Sequence, residues 1–325
     1  MYDEQYALCE LLDGDPENLR AALFGTVQVL YNAYPRQCPL GKAMPNWPTC
    51  QQYTTHVFHL LNLYETETKI REVADTTSLT LLTELLCDCG AYLFAKCLFE
   101  DSERLTRASI EIAEKVLEAH DCLRAQPYAL TGTISLRSEN RRDEAVKSLE
   151  LALHIYEENI RVDCKDTEPP LHINTQLANA YNNLGSAAKL MGDLGEAARL
   201  YQKAIEIEER RRDHCAGFLP ALSLHDVGKL HHLQRYIEEA AKFFSECNSE
   251  MSIYEDDQEM KAWQAVWLYS LAKTEANISR LKDAELHANE SLQTLKSVMD
   301  EALETTACLR SDALKCEAKK PEEAT

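Results

Sequence analysis

The stretch LANAYNNLGSAAKLMGDLGEAARLYQKAIEIEERR, residues 177–211, sets the reading of the chain. Gly185 is followed by Ala197 twelve residues on and by Ala204 seven after that, with Tyr181 and Leu184 before the glycine and Tyr201 between the alanines. Small residues at those intervals let two antiparallel helices approach closely, while the aromatic and leucine side chains fill the space around them. MGDLGEA is the turn between the helices, and Glu196 opens the second one, where the helix dipole favours a carboxylate.

The same twelve-then-seven spacing recurs as Gly90, Ser102, Ser109; Thr133, Ala145, Ala152; Gly228, Ala240, Cys247; and Ala272, Ala284, Ser291. A fixed period of this kind marks a repeat array. Measured at the middle residue, the steps are 43, 52, 43 and 44, and the long step holds the polar insertion VDCKDTEPPLH. Pro127, Pro169 with Pro170, and Pro220 are expected just before the first helix of units two, three and four, where a missing N–H costs least. RSENRRDEA forms the corresponding turn of unit two. The predicted units lie near 83–118, 126–162, 174–211, 221–254 and 262–299.

Composition agrees with an all-α fold, since ten glycines and ten prolines stand against abundant Ala, Leu and Glu. A net charge of −20 repels nucleic acid and anionic lipid, which excludes both as expected partners. Twelve cysteines are scattered without a C-x-x-C pair, and the acidic N-terminus has no apolar leader core, so a cytoplasmic, reducing setting is expected. Apolar stretches such as VFHLLNLY are short of the roughly 20 residues of a membrane span.

Tyr181, Leu184, Gly185, Gly192, Ala197, Tyr201 and Ala204 resemble the tetratricopeptide repeat consensus, and the period of about 43 resembles its long-helix variant, as in kinesin light chains. The signature positions are Gly90, Ala145, Tyr181, Gly185, Ala197, Tyr201, Ala204, Gly228, Ala240 and Ala284. The resemblance implies an α-solenoid, a right-handed superhelix of about five helical hairpins over residues 81–299. Ahead of it, residues 1–80 read as a helical cap. Asp15 and Pro16 open a helix whose apolar face is Leu19, Leu23, Val27, Leu30 and Tyr34, and a loop with four prolines leads to a second helix through Tyr53, Val57, Leu60, Leu61 and Tyr64. Residues 300–325 read as a helical extension and a polar, disordered tail.

YPRQ, then Trp47 and Cys50 in WPTCQQY, then HVFHLLNLY resemble the segment joining the nucleotide-binding engine to the repeats in fungal NLR-like (STAND) proteins. That resemblance implies a sensing or autoinhibitory arm and an NTPase domain as partner, in cis or in trans. The chain itself holds no G-x-x-x-x-G-K-[ST] phosphate loop.

LSLHDVGKLHH, residues 222–232, resembles the HD core of metal-dependent phosphohydrolases. Its glycine is Gly228, which falls in register with the repeat, so the repeat accounts for it. His225 and Asp226 then precede the packing glycine on a first helix. His231, His232, His214 with Cys215, and His56 with His59 offer imidazoles without the spacing of a zinc site. Neither a metal nor another cofactor is expected, and no catalytic residue. Cys87 and Cys89 read as packing residues, as do Trp263 and Trp267.

The remaining candidate is the inner face of the first helices. In register, it carries Asn179, Asn182 and Asn183 in unit three, His225, Asp226 and Lys229 in unit four, and Tyr269, Ser270 and Lys273 in unit five. Amide side chains bond the backbone of an extended peptide without regard to its sequence, and the lysines and histidine bias the choice of partner. Unit three offers asparagines where a clamp for a terminal carboxylate wants cations. The expected function is non-catalytic protein interaction, with a partner segment in the groove.

Overall fold

The structure, a computed structural model, describes residues 15–35, 47–165, 167–209, 218–251 and 258–298. Within these the regular structure is helical throughout: α1 (Pro16–Ala33), α2 (Trp47–Thr66), α3 (Thr68–Val73), α4 (Thr76–Ala95), α5 (Phe99–Val116), α6 (Cys122–Ser135), α7 (Arg142–Asp163), α8 (Leu171–Met191), α9 (Leu194–Glu209), α10 (Phe218–Leu233), α11 (Ile237–Met251), α12 (Gln258–Asn277) and α13 (281–298). The chain divides into two compact units, Met1–Arg212 and Asp213–Thr325. His214 with Cys215, the loop around residues 36–46 and the tail after 298 lie outside the described residues.

Local chemistry places the helix ends. Asp75 accepts from the Ser78 N–H at 2.7 Å, Asp121 from Leu123 at 2.9 Å and Asp193 from Glu196 at 2.9 Å, each satisfying a donor that the first turn leaves unpaired. Asp15 caps α1 with Pro16 at its first position. Gly192 ends α8 with φ +87°, a left-handed cap that a side chain rarely adopts.

In the first unit, the predicted face of α1 is buried from Leu19 to Tyr34. It joins Val57, Leu60, Leu61 and Tyr64 of α2 and Leu82, Leu85 and Leu86 of α4 in one core. α4 with α5, α6 with α7, and α8 with α9 are the closely packed antiparallel pairs, and α4, α6 and α8 also touch in sequence. α4 is more apolar than the sequence reading allowed, being long and hydrophobic enough to cross a membrane. Ten of its residues are buried, which explains its composition as that of a core helix.

In the first four hairpins the packing glycine meets the side chain four residues past the middle small residue. A Cβ on Gly185 would lie 2.7 Å from the Tyr201 ring, one on Gly132 2.5 Å from Leu149, and one on Gly90 3.0 Å from Thr106 Oγ1. In the second unit a Cβ on Gly228 would lie 2.7 Å from the Phe244 ring. Such contacts leave no room for a methyl group. Serines replace alanine where their hydroxyls find a carbonyl across the hairpin: Ser102 donates to Gly90 O at 2.7 Å, Ser109 to Thr83 O at 2.9 Å and Ser291 to Ala265 O at 2.7 Å.

Two expectations are corrected. The packing residue of unit two is Gly132, not Thr133, whose hydroxyl instead donates to Ala129 O at 2.8 Å within its own helix. A 3₁₀ turn, Glu139–Arg141, takes up the extra residue between Gly132 and Ala145. Pro127 lies inside α6, not before it, so Leu123 loses its helical donor there. Pro220 likewise lies inside its helix, in the first turn of α10, whereas Pro170 is the N-cap of α8.

In the second unit α10 pairs with α11, and α12 packs on both. Trp267 is fully buried, while Phe244, Leu271, Ala240 and Ala241 form a small core. Along α13, Ala284 and Ser291 are buried and Ala288 is exposed.

Candidate functional site

The packing glycines fix which residues reach the inner face. On α4 the residues three and two before Gly90 and the one after it are Cys87, Asp88 and Ala91. On α6 the same offsets from Gly132 give Ala129, Leu130 and Thr133, with Gln126 six before. On α8, Asn179 and Asn183 lie six and two before Gly185, with Gln176 a turn earlier. These ten side chains line one cavity of about 280 Å³. Three successive first helices therefore contribute to a single site inside the first unit.

Its chemistry is polar and nearly uncharged. Four carboxamides, Gln126, Gln176, Asn179 and Asn183, each present donors and an acceptor. Thr133 spends its proton on Ala129 O, which leaves its oxygen to the cavity as an acceptor. Asp88 is the one formal charge among the ten, and it is partly buried. Cys87 is kept as a thiol: burial pushes its pKa up, and the carboxylates of Asp88 and Glu84 push it further the same way. A thiol so held is a poor nucleophile.

The predicted inner-face residues separate into three groups. Asn179 and Asn183 line the cavity. Asn182 and His225, expected to face a partner, are buried, at 5% and 2% exposure. The His225 ring lies 5.6 Å from Trp267 and 5.3 Å from Phe244, and its Nε2 is 3.1 Å from Ser270 Oγ. Ser270 Oγ is also 3.1 Å from Val266 O, to which it donates. His225 thus belongs to the seam between α10 and α12. The offset of three before the glycine does not decide this by itself, since Cys87 and Ala129 at that offset line the cavity. Cys87 is buried at the same offset, whereas Tyr269, in the last hairpin, is 61% exposed.

Asp226 is buried and pairs with Lys229 at 3.7 Å. Lys229, Tyr269 and Lys273 are exposed, and Ser270 is half-buried. Trp267 is core, as expected, while Trp263 is 38% exposed. His56 and His59 are exposed; His231 stacks on Phe243 at 5.0 Å, and His232 Nδ1 is 3.3 Å from Thr274 Oγ1. Among the described residues no group of three His, Cys, Asp or Glu side chains is arranged to hold a metal ion.

Sequence reasoning missed the first two walls of the cavity, on α4 and α6. Applying the six- and two-residue offsets of α8 to Gly90 gives Glu84 and Asp88, of which Asp88 lines the cavity. In α6 the slip to Thr133 hides the lining residues, because it points to Thr131 and Ile134, the latter buried in the core.

Residues 178–211 match the tetratricopeptide repeat family model. No curated protein matches the chain. Among solved structures, BtubC (BKLC) from P. vanneervenii is similar in fold at 18% identity, covering 78% of this chain and 91% of that one with a TM-score of 0.57. The apo form of RapI is similar at 13% identity, covering 76% of this chain and 63% of its own, with a TM-score of 0.53. A Podosopora anserina kinesin light chain of nearly identical TPR-like repeats overlaps at 13% identity, 67% and 94% coverage, and a TM-score of 0.46.

Proposed function

We propose that the chain is a non-catalytic protein-interaction scaffold whose site is the cavity between α4, α6 and α8, holding an extended segment of a partner protein. The observation that carries this reading is the convergence of four carboxamides from two helices on one cavity of about 280 Å³. A carboxamide matches the alternating N–H and C=O of an extended backbone, so several along a groove hold a strand with little demand on its side chains. Asn179 and Asn183 take part; Asn182 and His225 do not, since both are buried.

A cytoplasmic setting goes with this reading, the described cysteines being thiols. The phosphohydrolase alternative loses its support at His225, whose ring is engaged by Trp267, Phe244 and Ser270. The NLR-like alternative rests on the Trp47 and Cys50 motif, and Cys50 is fully buried in the core beneath α1, where packing accounts for it. An NTPase domain as partner therefore stays with the sequence resemblance alone.

The test is an affinity capture with quantitative mass spectrometry, comparing the wild-type chain with Asn179→Arg/Asn183→Arg. Both residues line the cavity and neither packs a hairpin. A partner held by wild type and lost by the variant places the site between α4, α6 and α8. Equal recovery refutes that placement.

A further inference from the structure

We infer that the cavity takes a branched aliphatic side chain, of the size of valine, from the bound segment. This rests on the scaffold reading above and names the residue that gives it selectivity.

The lining divides along the helices. Six and nine residues before the packing glycines stand Gln126, Asn179 and Gln176, so one end of the cavity is walled by carboxamides. From three before the glycine to one after it, α4 and α6 supply Cys87, Ala91, Ala129 and Leu130. Burial holds Cys87 as a thiol, and a buried thiol packs as a small apolar group. These four therefore form an apolar patch at the other end. Asn183 and Thr133 share its level, and the Thr133 proton is spent on Ala129 O.

An extended segment turns successive side chains to opposite faces. With its backbone on the carboxamides, one side chain turns in to the apolar patch while its two neighbours turn out to solvent. None of the ten lining residues is a lysine or an arginine, and Asp88 is engaged by a partner within the chain. A charged side chain turned inward would shed its hydration with no open counter-charge to meet it. An aliphatic one loses nothing there and covers Ala91, Ala129 and Leu130 from water. The volume sets the size. At about 280 Å³ the cavity stands at the lower end of ligand pockets, which begin near 300 Å³, so it holds one side chain of moderate bulk with the backbone that carries it.

The experiment uses the full chain and three capped peptides, Ac-Ala-Ser-Val-Ser-Ala-NH₂ and its threonine and alanine counterparts. Threonine keeps the shape of valine and replaces a methyl by a hydroxyl. Each is titrated into the millimolar range while NMR follows the methyl signals of Ala91, Ala129 and Leu130 and the carboxamide signals of Gln126, Gln176, Asn179 and Asn183. The valine peptide is expected to shift both sets with an affinity about tenfold above alanine, the gain from two buried methyl groups. It should exceed threonine by a similar factor, about tenfold, because a hydroxyl buried there is stripped of water. Added salt should leave the affinity unchanged. Ala129→Leu should fill the apolar patch and erase the preference for valine over alanine.

Equal affinity for the three peptides would overturn the inference and leave the scaffold reading standing. So would a threonine peptide that binds best, or a valine peptide that shifts the carboxamides without the methyls. If no peptide moves either set, the inference falls; if Asn179→Arg/Asn183→Arg also captures every partner that wild type does, the scaffold reading falls with it.

Discussion

Replacing Gly185 by alanine should destabilise the chain, although the same change elsewhere in a helix stabilises it. A helical Gly→Ala change is worth about 1 kcal/mol in favour of the helix. At Gly185 the new methyl would stand 2.7 Å from two carbons of the Tyr201 ring and 3.2 Å from a third. Ordinary contact needs 3.4 Å or more, so the ring must retreat by most of an ångström. Tyr201 is fully buried, its hydroxyl is 3.1 Å from Ser186 Oγ, and the Lys189 ammonium lies 5.5 Å from its ring centre. Overpacking a site so confined costs about 1–3 kcal/mol, which leaves a net loss on the order of 1 kcal/mol. Gly25 is the control. It sits inside α1, and a Cβ there meets nothing within 4 Å, so Gly25→Ala should gain about 1 kcal/mol from propensity alone. Calorimetry should show the two melting temperatures moving in opposite directions, each by about 2–4 °C. A double-mutant cycle adds the cause: in a Tyr201→Leu background the cost of Gly185→Ala should shrink or vanish. If Gly185→Ala raises the melting temperature as Gly25→Ala does, the hairpin does not close through Gly185 and the repeat register is wrong.

His225→Ala should open a cavity beside Trp267 and Phe244, lowering stability by about 2 kcal/mol and red-shifting tryptophan emission, with partner recovery unchanged. Recovery that falls with folding intact would return His225 to the binding surface. Arg141 bonds both Glu103 oxygens, at 2.8 and 2.9 Å, and its hydrogen bond holds the Glu103 carboxyl below its ordinary range. A depressed folded pKa stabilises above the ordinary carboxylate pKa and is lost as pH falls through the folded value, so Arg141→Ala should cost about 1 kcal/mol from pH 5 to 8. The gap to wild type should close below roughly pH 4, and a gap that persists in urea titrations at pH 2 would refute the assignment.

The parts of the fold that were legible are those where a contact forces a residue type. Gly185 and Gly228 each face an aromatic ring, Tyr201 or Phe244, that no side chain could clear, so glycine and aromatic recur at fixed distance. The Asp15 cap and the α1 face were legible for the same local reason. Unit two was misread because a fixed spacing counts residues, whereas the hairpin conserves contacts: the 3₁₀ turn adds one residue and the contact moves to Gly132. A further column of small residues carries the correction. Thr83, Ala125, Ala178, Ala221 and Ala265 are all buried at 1% exposure or less. They precede the last small residue of their hairpins by 26 positions, except that Ala125 precedes Ala152 by 27, which is the inserted residue.

The site was less legible because its residues answer to no such contact. Position by position, the offsets before the glycine hold cysteine, alanine, asparagine, histidine and tyrosine at three, and aspartate, leucine, asparagine, aspartate and serine at two. The three-before column was mistaken for groove because in sequence it looks as variable as the groove itself. In the second unit α12 covers His225, whereas in the first unit the residues two before the glycine, Asp88, Leu130 and Asn183, open into the cavity, joined by Cys87 and Ala129 at three before. At His225 the residue records a fit between neighbouring helices, made by Trp267 and Ser270. The carboxamides at Gln126, Asn179 and Asn183 fall two or six before the glycine, and no hairpin contact requires an amide there.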